Sequence, residues 1–95
     1  MSLEVRWAKE AEFTFDNIVS LIKNNWGEQS SDKFTLKTKK ILNSISLHPF
    51  MFPESGIDNV RKAVITKQTS LFYEVFPDMI LLVFFWDNRQ DPLFS

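Results

Sequence analysis

Residues 60–86, VRKAVITKQTSLFYEVFPDMILLVFFW, hold three short runs rich in β-branched and aromatic residues. Residues 60–66 (VRKAVIT), 70–76 (SLFYEVF) and 79–86 (MILLVFFW) therefore read as strands. Pro77 and Asp78 make a tight turn, with proline setting the first central φ. Residues 67–69 make the other turn. Links this short predict an antiparallel meander. The last run is apolar on both faces, so it is expected inside the sheet rather than at an open edge.

Upstream, the period changes twice. Leu3, Val5 and Trp7 alternate with Glu4 and Arg6, the period of a half-buried strand. From Lys9 to about Asn25, Ala11, Phe15, Ile18 and Ile22 follow the stripe of an amphipathic helix, with Leu21 and Trp26 beside it. Gly27 is a natural stop. A second helix begins near residues 29–31 and runs to about Leu47, with Phe34, Thr38, Ile41 and Ile45 as its stripe and Leu42 on the flank. Lys33, Lys37, Lys39 and Lys40 give it a basic side. Pro49 ends it, because the residue before proline avoids helical dihedrals. The short link between the helices predicts an antiparallel hairpin. Residues 48–58 (HPFMFPESGID) read as a loop whose Phe50, Met51 and Phe52 either close the core or present a contact surface. The order strand, helix, helix, strand, strand, strand predicts an α+β fold, an antiparallel sheet with the helical hairpin packed on one face.

The totals narrow the function classes. The 95 residues fit one domain spanning 1–95. Ten Phe and three Trp compensate for a small core, since aromatics bury much area per residue. Eleven basic against twelve acidic residues argue against a protein that grips nucleic acid chiefly through phosphates. The absence of cysteine excludes disulfides and thiolate zinc sites, and the expected compartment is the reducing cytoplasm. Glu4 and Arg6 interrupt the N-terminus, so no leader is expected. The longest apolar run, residues 79–86, is too short to span a bilayer, and no membrane association is expected. With Gly27 and Gly56 the only glycines, there is no glycine-rich phosphate loop. No metal-ligand spacing is present, and no cofactor is expected.

Several pieces, in this order, resemble the RelE/ParE toxin superfamily. Val5, Trp7 and Ala11 are similar to the family's strand-to-helix entry, and Trp26-Gly27 to the end of its first helix. Phe34, Ile41, Leu47 and Pro49 resemble the second helix and its proline stop. GIDNVRKAV (residues 56–64) resembles the glycine, hydrophobic, arginine strand, with Arg61 in the arginine position. Phe72-Tyr73-Glu74-Val75 matches the third strand, and DNRQDP (residues 87–92) the tail of the ParE-like branch. The resemblance implies the toxin component of a type II toxin–antitoxin (plasmid stabilisation) system, held inactive by a cognate antitoxin whose flexible segment covers its working surface. The antitoxin also offers a route to an oligomer. The ParE-like branch blocks DNA gyrase by binding; the RelE-like branch cleaves messenger RNA in the ribosome. A third possibility is a non-toxic regulatory binding module.

Two departures from the family pattern bear on this choice. Ala8 stands where the family often has a helix-capping serine or threonine, and alanine leaves the first N–H groups uncapped. The tail, residues 87–95, supplies Arg89 between two aspartates but no Tyr or His. Cleavage at a 2′-OH needs a proton acceptor, an acid and cations for the phosphate charge. The polar residues available are Arg61, Arg89, Lys62, Tyr73, Glu74 and His48. Arg61 and Tyr73, on neighbouring strands, could share a face. Arg61 either stabilises phosphate charge or binds a carboxylate or carbonyl inside the fold. Tyr73 is either catalytic or a core tyrosine with a satisfied hydroxyl. His48 sits at a helix end, where it favours the dipole. Arg89 either bridges Asp87 or Asp91, or meets the target. The near-neutral charge and the acidic tail favour a binding toxin over an endoribonuclease, for which Arg61, Arg89 and Tyr73 are the catalytic candidates; Arg61, Arg89, Phe50 and Phe52 are the expected contacts for target or antitoxin.

Overall fold

A computed structural model describes residues 2–88. The elements are β1 (Glu4–Trp7), α1 (Lys9–Trp26), α2 (Glu28–Leu47), β2 (Val60–Val64), β3 (Thr69–Val75) and β4 (Met79–Asp87). The α+β class and the element order match the sequence reading. The strands form one sheet in the order β1-β4-β3-β2, so β4 is interior, as its two apolar faces require. The meander β2-β3-β4 is antiparallel. The sheet as a whole is mixed, because β1 lies parallel to β4, from Glu4↔Met79 to Trp7↔Leu82. The expectation of a purely antiparallel sheet is corrected there. The cause is the helical hairpin, a crossover long enough to return the chain in the same direction.

Gly27 is both the C-cap of α1 and the residue before α2, with φ 93°. Glycine enters this region without the Cβ penalty, so the chain reverses in one residue. Neither helix has a side-chain N-cap, as Ala8 and Gly27 dictate. The stripe residues Ala11, Ile18, Phe34, Thr38 and Ile45 are buried. Trp26, which flanks the first stripe, is instead 57% exposed.

Phe72 pairs with Phe84 but Tyr73 pairs with Leu82, so Val83 is an extra residue. This bulge shifts the side-chain alternation of β4. Ile80 and Leu82 face the helices before it, and Phe85 after it. Phe85 thereby joins an aromatic junction. Its ring centroid lies 5.6 Å from Trp7 and 5.2 Å from Phe15, while Phe15 stacks on Phe34 at 5.7 Å. One cluster thus links β1, β4, α1 and α2. On the other face, Phe72 stacks on Phe84 at 4.5 Å.

β1 pairs with β4 only as far as Leu82. Past that point the Phe85 N–H meets the Thr14 hydroxyl of α1 at 2.9 Å. The same hydroxyl donates to the Glu10 carbonyl at 2.7 Å. Ser46 does comparable work for β1: the Leu3 N–H donates to its carbonyl, and its hydroxyl to the Leu3 carbonyl. Thr14→Val keeps the shape and leaves the Phe85 N–H without an acceptor, which costs ~1–3 kcal/mol. The melting temperature is expected to fall by at least ~4 °C, read by circular dichroism.

Tyr73 is fully buried, and its hydroxyl donates to the Pro49 carbonyl at 2.8 Å. Burial raises its phenol above the ordinary value, with the Arg61 charge opposing the shift. The stability linked to this group is complete below about pH 10 and declines as pH rises through the raised value. Tyr73→Phe should cost ~1 kcal/mol at neutral pH. It should also flatten the alkaline part of a stability–pH curve, measured by urea unfolding.

Candidate functional site

The chain between α2 and β2 has no regular structure, so its backbone groups need partners from elsewhere. The His48 N–H closes α2 on the Ser44 carbonyl at 2.8 Å, and the Met51 N–H turns back to the His48 carbonyl at 3.1 Å. This turn carries three apolar residues outward: Leu47, Phe50 and Met51, which are 50%, 66% and 51% exposed. Phe52 points the other way, half-buried against the core. The expectation that Phe50 and Phe52 act together as contacts thus divides: Phe50 is on the surface and Phe52 is packing.

Arg61 and Tyr73 are directly paired across β2 and β3 and share the helix-side face. Both reach the same loop. The Arg61 guanidinium donates to the Phe52 carbonyl at 2.6 Å and lies 4.9 Å from the centre of the Phe50 ring. With the Tyr73–Pro49 bond, two side chains from the sheet hold two carbonyls of one loop. Further on, the Lys62 N–H donates to the Pro53 carbonyl and the Ser55 N–H to the Val60 carbonyl, so residues 53–55 cover the outer edge of β2. Asn59 then enters β2 with φ 67°, a conformation asparagine tolerates better than most residues.

Beside the clasp is a cleft of about 200 Å³ lined by Phe50, Glu54, Asn59, Arg61, Glu74 and Val75. It brings two carboxylates near one guanidinium and one exposed ring. Glu54 gave no signal in the sequence, because an acid in an irregular loop has no period. Of the other candidates, His48 is exposed at the end of α2 and lines none of this cleft. Lys62 lies over the Phe72 ring, 6.0 Å from its centre, on the opposite sheet face. Arg89 lies outside the described residues. Among those described, no group of three or more His, Asp or Glu is placed to hold a metal ion, and no helix is long and apolar enough to cross a membrane.

No protein-family model and no curated protein matches the sequence. Solved structures do. A chain of the chromosomal ParDE TA system from P. aeruginosa superposes with a TM-score of 0.77 at 13% identity, covering 90% of this chain and 96% of that one. A chain of the E. coli DinJ-YafQ toxin-antitoxin complex gives 0.64 at 11%, with all of both chains covered. The YoeB dimer from Staphylococcus aureus gives 0.61 at 15%, covering 88% and 94%. What such low identities share is architecture: this chain has the fold of the RelE/ParE toxin superfamily.

Proposed function

We propose that the chain is the toxin of a type II toxin–antitoxin pair, neutralised by a cognate antitoxin, and that it acts by binding an intracellular target, DNA gyrase first among the candidates. The fold supports the toxin role, since the similar structures include toxins in complex with antitoxins. One observation carries the choice of binding over cleavage: Arg61 and Tyr73 are engaged with the carbonyls of Phe52 and Pro49. Side chains so placed shape a surface. That surface is the turn bearing Phe50 and Met51, an exposed apolar tip of the kind that anchors partners.

A second reading rests on the cleft. Glu54 or Glu74 would accept the 2′-OH proton, the free N–H groups of Arg61 would face the phosphate, and Phe50 would stack on a base. This is the ribosome-dependent endoribonuclease of the RelE-like branch.

Expression without antitoxin should arrest growth, and the purified protein should inhibit supercoiling by gyrase. Phe50→Ala with Met51→Ala should relieve both while circular dichroism stays unchanged. Glu54→Gln with Glu74→Gln should leave both intact. If that carboxylate pair is needed instead, and messages are cut at the ribosome while supercoiling proceeds, the second reading takes over. Unimpaired growth would remove both toxin readings and leave a regulatory binding module.

A further inference from the structure

The outer side of the helical hairpin has a charge pattern that the toxin reading does not use. Phe15 of α1 stacks on Phe34 of α2, which fixes the relative height of the two antiparallel helices. Phe13 is two residues before Phe15, and Leu36 two residues after Phe34. In an antiparallel pair these steps run the same way, so Phe13 and Leu36 sit at one level. Two residues are also about 200° around a helix, so both turn away from the core. Their exposures agree, 62% for Phe13 and 56% for Leu36.

Around these two apolar residues the charge is divided by helix. Glu10, Glu12 and Asp16 surround Phe13, with Lys9 the one base in residues 9–16. Around Leu36 the exposed charges are Lys33, Lys37, Lys39 and Lys40, with Asp32 the one acid in residues 32–40. All of these charged residues are exposed. Among the described residues the ion pair formed is Glu4–Arg6 on β1, and none joins these helix charges to each other.

We infer that this face is a self-association surface that takes a second copy of the chain about a two-fold axis. Such an axis lays the acidic α1 of one copy over the basic α2 of the other, twice. Phe13 of each copy then meets Leu36 of its partner. An isologous interface needs a surface complementary to itself, and a face that is acidic on one half and basic on the other meets that condition. The helices have 18 and 20 residues, so the face is ~27–30 Å long. With two exposed apolar side chains per copy at its centre, such a face suits a weak interface, and dissociation is expected at ~10–500 µM.

Sedimentation equilibrium over that concentration range tests this. The wild-type chain should pass from monomer to dimer in 50 mM salt, and the dissociation constant should rise at least ~5-fold in 500 mM salt, because the pairs are exposed. One variant, Glu12→Lys with Asp16→Lys, makes both halves basic. Another, Lys33→Glu with Lys37→Glu and Lys40→Glu, makes both halves acidic. Each alone should bind itself at least ~10-fold more weakly than wild type, and an equimolar mixture should recover a one-to-one dimer. Circular dichroism confirms that each variant is folded. A wild-type chain monomeric throughout, a dimer indifferent to both reversals, or a mixture no better than its parts would each overturn the inference. None of these results depends on whether the chain is toxic.

Discussion

Two hydrogen bonds from the sheet hold the loop on which the candidate site is built. Arg61 and Tyr73 stand opposite each other on β2 and β3, and each donates to a carbonyl of the segment between α2 and β2. That segment has no helix or strand to satisfy its own backbone. An unpartnered carbonyl near the core costs more than a bond to it gains, so the donors decide where the loop can lie. The Phe50 ring is then fixed by the guanidinium beside it, while Phe52 fills the core. Exposure of the apolar tip is thus a consequence of polar bonds beneath it.

The sheet beneath the clasp is tied to the helices by ring contacts and a hydrogen bond. Phe85 reaches the helices only through the bulge at Val83, and through Phe85 the rings of Trp7, Phe15 and Phe34 form one junction across strand and hairpin. Thr14 holds the same place by another route, bonding the Phe85 N–H where β1 has ended. A loop anchored to so fixed a frame presents its contact residues with little entropy left to lose on binding.

Much of this was legible in the residues. Strand alternation over Leu3, Val5 and Trp7 and the helical stripes follow from periodicity, the helix stops from Gly27 and Pro49, and the interior position of β4 from its being apolar on both faces. The parallel pairing of β1 did not, because alternation within a strand says nothing of its partner's direction. The bulge was hidden for a related reason: MILLVFFW is apolar throughout, so an extra residue breaks no visible pattern. Phe50 and Phe52 have the same chemistry and differ only in which way an aperiodic loop turns. For Arg61 both a phosphate-facing and a carbonyl-binding role were open, and the loop resolves its contact to a carbonyl. The cleft acid Glu54 escaped because it becomes notable only once the loop folds beside β2.

These relations place Arg61 at the centre of the account, as an anchor that shapes the proposed binding surface. The most direct measurement is nitrogen-15 NMR of the arginine side chains in the isolated protein. Anchored on the Phe52 carbonyl and lying over Phe50, the Arg61 guanidinium should show resolved, slowly rotating N–H signals, shifted upfield by the ring and cross-relaxing with it. Arg61 signals averaged like those of a free arginine in solution, without contact to Phe50, would contradict the account.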